Sequence, residues 1–392
     1  MAALVDLLSK TYAPIQALIL SYLDIADVIS LSRTSRHPNL WPIVKATSRN
    51  INHQLRRFFS DPQLFRSIQA GCEALITGSS ARLFIMGQLA DHRTMRLVVH
   101  NDKWPKMQLY LQEEGYEAKQ TTSKKSRFVE STLGITHIMI VNHDIEPVVG
   151  IAICAPLTTA DLNFITWNKA YPLFLFTTFI QRRSFALTSF SERLNDVFAR
   201  QYNDGFRTLS VDWFQSGSNR MMRSRRIGDK YTWIIDLNTT GINETPSPDK
   251  FIETTTFCLQ QGSTADSNVG GTVPLAHYKM GQLGILNHPV LRRGYIVLYD
   301  EDTRPRREYQ KKISDLTKRL DETTIIELGK ITRSQRPPQY DLIRAGQATA
   351  AASRGLFALP TTWVFCDNDL IGYLDRAWID LQHAEEKERR AA

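Results

Sequence analysis

A Gly-Ser-Ser turn at residues 78–80 is the feature that most constrains the fold of this chain. Residues 74–77 form a short apolar run with the length of a buried strand, and the apolar stretch at 80–89 has the pattern of a helix. Exposed backbone N–H groups at such a strand–turn–helix junction favour phosphate. The junction therefore predicts a phosphate-handling site inside an α and β fold.

The pattern after this turn continues to alternate between strands and helices. It predicts a strand over 95–100, a helix over about 103–114 and a strand over 135–141. The aromatic-rich segment 160–185 is interpreted as a buried helix-turn-helix, so its rings are expected in the core rather than on a base-stacking surface. The fold class predicted from this order is α+β, with a small helical module in front.

Composition indicates a protein of the cytoplasm or nucleus, with no membrane partner. Apolar residues make up 42% of the 392 residues, but no apolar run approaches the roughly 20 residues that a membrane span needs. The first ten residues lack the basic start and cleavage site of a secretory signal. The four cysteines are widely spaced, which fits reduced thiols: Cys72, Cys154, Cys258 and Cys366.

The first segment, from about Ala13 to Trp41, resembles an F-box. Its apolar pairs and the run Leu31 to Arg36 occur in the expected order, although the usual Leu-Pro opening is replaced by residues 13–16, Ala-Pro-Ile-Gln. The resemblance implies binding to the Skp-type adaptor of a cullin ubiquitin ligase. The residues expected to make this contact are Pro14, Ile15, Leu18, Ile19, Leu23 and Val28. The alternative is that this apolar stripe only packs on the following helix.

A second resemblance, covering about Phe65 to Ser184, is to a group of fungal proteins with a nucleotidyltransferase-like domain. It rests on residues 74–81, 95–99 and 163–171, extended by 177–179 and 182–183. In active members, the Gly-Ser turn holds a triphosphate and two aspartates on the next strand hold divalent metal ions. The resemblance thus implies a nucleotide cleft at Gly78, Ser79, Ser80, Thr94 and Arg96.

The two aspartate positions of that family correspond to Thr94 and Arg96 in this sequence, and the strand 135–141 carries no third carboxylate. Hard cations need several oxygen ligands, so we expect no metal, no cofactor and no catalytic residue here. Two acids beyond the strand ends, Asp102 and Asp144, are the remaining candidates for metal ligands. Arg96 either forms an anion pocket with the turn, or points outward or pairs with an acid such as Asp91.

The net charge of +8 permits contact with nucleic acid, and two basic clusters with neighbouring aromatic residues are candidates for it. The first cluster contains Arg220, Arg223, Arg225, Arg226 and Lys230. The second lies in a helix predicted over 304–319 as basic and solvated, and contains Arg304, Arg306, Arg307, Lys311 and Lys312. The alternative for both is an ordinary charged surface or one that meets an acidic protein.

The predicted organisation has four parts: an F-box-like module (1–45), connecting helices (46–72), a nucleotidyltransferase-like domain (73–200) and a C-terminal region with a loop near 239–271 (201–392). The predicted function is that of a substrate adaptor that presents a protein partner for ubiquitylation. The alternative is a nucleotide- or nucleic-acid-binding pseudoenzyme, and an active nucleotidyltransferase is the third hypothesis.

Overall fold

The protein is described here from a computed structural model. The structure describes residues 18–19, 22–23, 26–28, 30, 50–88, 94–119, 126–131, 137–143, 148–211, 220–243, 249–262, 276–338, 340–347, 350 and 359–391. Most of the F-box-like segment therefore lies outside the described residues. The described chain divides into two compact units that are interleaved in sequence. Unit 1 contains residues 1–212, 230–248 and 262–278, and unit 2 contains residues 213–229, 249–261 and 279–392.

The strands, in chain order, are β1 (Leu75–Thr77), β2 (Thr94–His100), β3 (Tyr116–Lys119), β4 (Ser126–Ser131), β5 (His137–His143), β6 (Asn163–Ile165), β7 (Lys169–Pro172), β8 (Arg183–Phe185), β9 (Arg207–Leu209), β10 (Arg225–Arg226), β11 (Ile235–Asp236), β12 (Thr256–Phe257), β13 (Leu259–Gln261), β14 (Tyr278–Met280), β15 (Leu283–Leu286) and β16 (Tyr295–Leu298).

The helices are α1 (Ile51–Leu55), α2 (Pro62–Cys72), α3 (Ser79–Met86), α4 (Trp104–Glu113), α5 (Val148–Cys154), α6 (Glu192–Asn203), α7 (Asp249–Glu253), α8 (Arg304–Gly329), α9 (Tyr340–Arg344) and α10 (Asp367–Ala391). A π-helix covers Leu175–Ile180, and short 3-10 turns include Asn101–Lys103 and Thr159–Asp161. Among the described residues, no helix has both the length and the apolar character needed to cross a membrane.

Unit 1 is built on an eight-stranded mixed sheet with the strand order β11-β7-β6-β1-β2-β5-β4-β3. The β2–β5 pair is parallel, and the other neighbouring pairs are antiparallel. The predicted α+β class is confirmed. The predicted strand, turn, helix and strand around residues 75–100 are present, while β3 and β4 were not predicted.

Alternate residues of β2 face opposite sides of the sheet, as the pleat of a strand requires. Met95, Leu97 and Val99 are buried in the main core of unit 1. Thr94, Arg96 and Val98 face the other side and line a cleft. The core side is covered by helices that contribute large apolar side chains, among them Phe59, Phe65, Trp104, Met107 and Tyr110.

The helix-turn-helix predicted for 160–185 is wrong, because this segment forms β6, β7, the π-helix and β8. The aromatic residues pair across antiparallel strands instead of along a helix: Phe164 lies opposite Tyr171, with ring centroids 4.8 Å apart. Aromatic side chains fit the pleated surface of a sheet well. The prediction that these rings are in the core is confirmed for Phe164, Tyr171 and Phe179, but Phe176 is exposed.

Unit 1 also contains a parallel pair, β8 and β9, connected through α6. Parallel neighbours need such a crossover because their ends lie at opposite edges of the sheet. α6 begins after Ser191, whose hydroxyl accepts a hydrogen bond from the Leu194 N–H at 3.3 Å. This connection determines where α6 runs, and α6 forms one wall of the cleft.

Unit 2 contains the short pair β10–β12, the hairpin β15–β16 and the long helices α8 and α10. Its core consists of apolar side chains from the hairpin and the two helices, including Tyr295, Val297, Ile313, Leu316, Leu374 and Trp378. The Arg306 guanidinium is buried within this unit, where it pairs with Asp300 at 2.5 Å and donates to the Ser224 hydroxyl at 3.1 Å.

Two sequence predictions for unit 2 need correction. The helix predicted as solvated over 304–319 is α8, and one of its faces is buried because Tyr309, Ile313 and Leu316 recur at helical spacing. The loop predicted near 239–271 contains α7, β12 and β13 among its described residues. Its Thr-rich sequence was interpreted as irregular, but threonine is also a common strand residue.

Arg66 is a buried cation that joins four segments of unit 1. Its Nε donates to the Trp167 carbonyl at 2.9 Å, and one Nη donates to the Asn52 side chain at 3.0 Å and the Asn238 carbonyl at 2.7 Å. Burial lowers the pKa of Arg66 to about 10. The guanidinium is thus held by carbonyl oxygens in place of water.

Arg66→Met is expected to lower the free energy of unfolding by about 2–4 kcal/mol, because two carbonyl groups lose their donors while the apolar stem is kept. Urea unfolding followed by fluorescence measures this change. Arg57→Met is the matched control, since Arg57 is exposed, and should change stability by no more than about 0.5 kcal/mol. Equal effects of the two substitutions would contradict the role given to Arg66.

Candidate functional site

A cleft of about 440 Å³ lies on the face of the unit 1 sheet opposite the main core. Its floor is formed by β1, β2 and β5, and the start of α3 closes one side. α5, the segment after it and α6 provide the other walls. All of these elements belong to unit 1, so the cleft is a feature of that unit alone.

Gly78 connects β1 to α3 with a backbone that favours glycine. Its φ is +70° and its ψ is −145°, a conformation that side-chain-bearing residues rarely adopt. An added Cβ would lie 3.8 Å from Arg96 Cδ, which is ordinary contact, so the φ angle and not the space selects glycine. Gly78 has no side chain to cap α3, and the first N–H groups of the helix remain available to a ligand.

The strand register places three cleft residues side by side across the floor. Thr77 of β1 lies opposite Arg96 of β2, and Arg96 lies opposite Met139 of β5. Because directly opposed residues share a face of the sheet, all three line the cleft. Arg96 therefore lies on the cleft floor between a threonine and a methionine, and neither residue directly opposite it in the sheet is an acid.

The structure brings four of the five predicted cleft residues into the lining: Gly78, Ser79, Thr94 and Arg96. Ser80 differs, since its hydroxyl is turned to the backbone and donates to the Thr94 carbonyl at 3.2 Å. That bond joins the first turn of α3 to β2. Ser80 therefore supports the cleft from behind and does not line it.

Arg96 is the central charge of the cleft. β2 is an interior strand, so the outward-pointing alternative for Arg96 is wrong, and Asp91 lies outside the described residues. Burial lowers the pKa of Arg96, the positive charge of Arg193 lowers it further, and Asp161 opposes both. Arginine stays protonated in proteins. Its buried Nε has no hydrogen-bond partner among the described residues.

The acid of the cleft, Asp161, is engaged by a different arginine. Arg82 of α3 is only 2% exposed and forms ion pairs with Asp161 and, at 2.6 Å, with Asp204. Asp161 also accepts a hydrogen bond from the Gln201 amide at 3.2 Å. Hydrogen bonds between two charged groups are stronger than those between neutral groups. The charge of Asp161 is thus directed to Arg82, and among the described residues Arg96 forms no ion pair with an acid.

Two further arginines, Arg193 and Arg200, line the cleft from α6. They share one face of the helix with Val197, while Leu194 and Gln201 are buried on an adjacent face. Sequence reasoning missed Arg82, Asp161 and these two arginines. In α6, the spacing of Arg193, Val197 and Arg200 was a local signal. It predicts that the three side chains share one face of the helix, but it does not indicate which part of the protein that face meets.

The residues present do not fit a divalent cation. Within the described part of the chain, no group of three or more His, Cys, Asp or Glu side chains could hold a metal ion. Asp102, one of the two alternative acids, is 85% exposed beside His100 and does not line the cleft. Asp144 lies outside the described residues. A cation placed here would meet Arg96, which repels it.

Five of the ten cations in the two basic clusters form ion pairs among the described residues. In the first cluster, Arg225 pairs with Asp229 at 2.6 Å and Arg226 with Asp375 at 2.5 Å. In the second, Arg304 pairs with Glu308, Arg306 with Asp300 and Lys312 with Asp380. A phosphate backbone needs unpaired cations in a continuous patch. This pairing favours the alternative of an ordinary charged surface.

The predicted adaptor contacts are described only in part. Leu18 is 57% exposed, Ile19 and Leu23 are partly buried, and Val28 is fully buried. Pro14 and Ile15 lie outside the described residues. Burial of Val28 fits the packing alternative for that residue, whereas Leu18 is exposed.

The chain matches no protein-family model, and it matches no curated protein sequence. Two solved structures resemble it in part, the apo form I of a CCA-adding enzyme and a CCA-adding enzyme in complex with CTP. They are 14% and 13% identical, cover 41% and 40% of this chain and have a TM-score of 0.31. The matched region spans 43% and 42% of those chains. Similarity of this extent carries no functional argument.

Arg82→Met is expected to destabilise unit 1 by about 3 kcal/mol, because Asp161 and Asp204 lose their cation while both are largely buried. Thermal and urea unfolding measure the loss. The triple variant that adds Asp161→Asn and Asp204→Asn should recover part of the lost stability, because it removes the two carboxylate charges that have no cation in Arg82→Met. Arg200→Met, on the exposed side of α6, serves as the control and should leave stability unchanged.

Proposed function

We propose that the cleft binds a nucleotide through its phosphate groups and does not catalyse nucleotidyl transfer. The observation that carries this proposal is Arg96, a partly buried guanidinium on the cleft floor without a carboxylate partner among the described residues. Removing a charge from water is costly unless a counter-charge replaces the water. A phosphate oxygen is a counter-charge that matches the planar guanidinium.

The apolar part of the cleft lining supplies a second kind of surface. Ile151, Pro156, Leu157 and Val197 line this part of the cleft with apolar atoms. Small-molecule sites commonly combine an apolar lining with a few polar groups that fix orientation. An anion with an attached base and sugar uses both surfaces, whereas an inorganic anion uses only one. This combination supports a nucleotide over a simple anion.

The absence of transfer follows from the same residues. Nucleotidyl transfer relies on metal ions that align the attacking and leaving oxygens. Thr94, Arg96 and Met139 occupy the floor where carboxylates would have to stand, and Asp161 is bound to Arg82. The proposal is therefore a binding protein built on a nucleotidyltransferase-like sheet.

Arg96→Met is expected to weaken binding of ATP, GTP, CTP and UTP by about tenfold or more, because a charge-assisted contact is lost. The unliganded variant should unfold at the same temperature as the parent protein or higher, since an uncompensated buried charge is removed. Isothermal titration calorimetry and thermal unfolding measure the two effects. Together they separate a ligand-binding arginine from a structural one.

Arg304→Gln is the matched control, because Arg304 is an exposed arginine of unit 2, and it should leave both measurements unchanged. Unchanged nucleotide affinity in Arg96→Met would contradict the proposal. Release of pyrophosphate from any of the four nucleotides by the parent protein would contradict it as well, and would restore the hypothesis of an active transferase.

We propose, as a second function, that the N-terminal segment serves as the adaptor contact that its F-box resemblance implies. The observation in favour is that Leu18 and Tyr22, four residues apart with helical backbone, are 57% and 82% exposed. Exposed large apolar side chains are candidates for contact with a partner. This role concerns a different part of unit 1 from the cleft and is compatible with nucleotide binding.

The double substitution Leu18→Asp and Tyr22→Asp is expected to abolish capture of a purified Skp-type adaptor and to leave the unfolding temperature unchanged. A pull-down with immobilised chain measures capture. If the parent protein itself captures no adaptor, the second function is withdrawn and the first is unaffected.

A further inference from the structure

We propose that the ligand of this cleft carries at least two linked phosphate groups and binds free of metal, with Arg96 taking the place of the cation. This inference rests on the proposed function and adds to it the chemical form of the ligand. Three independent features of the cleft support it: the position of Arg96, the unpaired hydroxyl of Thr77 and the spacing of the arginines on α6.

Arg96 lies beside the turn at the start of α3. It is directly opposite Thr77 in the sheet, and its Cδ lies 3.8 Å from the position of a Cβ on Gly78. This turn has no side-chain cap for the first backbone N–H groups of α3. A magnesium ion bridging two phosphates at this turn would meet a permanent positive charge. Direct contact between Arg96 and the phosphate oxygens avoids that repulsion.

Thr77 provides a buried hydroxyl group whose partner is not found in the described part of the chain. Its side chain is 3% exposed and lines the cleft, and its hydroxyl has no hydrogen-bond partner among the described residues. An unsatisfied buried hydroxyl is uncommon in a folded protein and calls for an explanation. Because Thr77 precedes Gly78, a phosphate oxygen at the turn is an acceptor within its reach. Thr77 and Arg96 thus converge on one anion from two adjacent strands.

Arg193 and Arg200 extend the positive charge away from this point. Seven residues separate them, which is about 10 Å along a helix axis. Arg193 is near enough to Arg96 to lower its pKa, so the charges run from the cleft floor along α6. A single phosphate can neutralise only one end of this row of arginines, whereas a chain of linked phosphates can contact the arginines along its length. The arrangement fits an extended polyanion better than one phosphate group.

Magnesium is expected to compete with the protein for such a ligand. A bound Mg²⁺ neutralises two negative charges of the phosphate chain. It also coordinates oxygens that the guanidinium groups would contact. Asp161 is the acid among the described lining residues, and its carboxylate is paired with Arg82. Binding should therefore be strongest when the cation is removed.

The test is isothermal titration calorimetry of the full chain with inorganic tripolyphosphate and with orthophosphate. Each is titrated in EDTA, and again in MgCl2 with NaCl adjusted to equal ionic strength, so that screening is constant. We expect tripolyphosphate to bind about tenfold or more tightly than orthophosphate in EDTA. Magnesium should weaken tripolyphosphate binding about fivefold or more. Tighter binding in magnesium, or equal affinity for the two anions, would overturn the inference.

Two variants test the named residues without disturbing the fold. Thr77→Val keeps the shape of the side chain and should weaken tripolyphosphate binding about threefold to tenfold. Arg200→Gln lies on the exposed face of α6 and should weaken tripolyphosphate binding while leaving orthophosphate binding unchanged. Arg304→Gln should change neither. Parent-like tripolyphosphate affinity in both Thr77→Val and Arg200→Gln would overturn the assignment.

Failure of the inference and failure of the proposed function give different results. Nucleoside triphosphates that bind only with magnesium would overturn the metal-free ligand and leave the nucleotide cleft intact. No binding of tripolyphosphate, orthophosphate or any nucleoside triphosphate under either condition would overturn both. A single-stranded oligonucleotide that binds more tightly than tripolyphosphate would replace the small polyphosphate with a nucleic-acid ligand.

Discussion

The ion pairs of Arg82 with Asp161 and Asp204 are the contact on which the arrangement of the cleft depends. Arg82 belongs to α3, the helix that begins after Gly78. Asp161 lies in the 3-10 turn before β6, and Asp204 follows the end of α6. One buried guanidinium therefore fixes three segments at once. It also determines which way α6 faces, and hence where Arg193 and Arg200 lie.

The same contact sets the electrostatics of the site. A carboxylate that is held by a buried arginine contributes little to neutralising a second one. Among the described residues Arg96 therefore has no carboxylate in an ion pair, although Asp161 is close enough to raise its pKa. Such a charge is a cost to the folded state that a ligand anion can remove. In the proposed function, that anion is the phosphate of a nucleotide.

The sequence was sufficient to predict the elements whose signals are local. The strand, Gly-Ser turn and helix around residue 78 follow from apolar runs and one glycine, and the strand at 94–100 follows from its alternation. The segment 160–185 was misassigned because aromatic residues are compatible with either a buried helix or a buried strand. The Arg82 pairs were inaccessible to sequence reasoning, since their partners are 79 and 122 positions away. No local pattern encodes such a contact.

Arg66 has a consequence for the order in which this chain can acquire its structure. Its guanidinium is satisfied by carbonyls 101 and 172 positions further along the chain. During synthesis from the N-terminus, the guanidinium of Arg66 cannot bind the Asn238 carbonyl until residue 238 has been added. By then residues 213–229 of the other unit have already been synthesised. Unit 1 therefore completes the contacts of Arg66 only after the first segment of unit 2 has been synthesised.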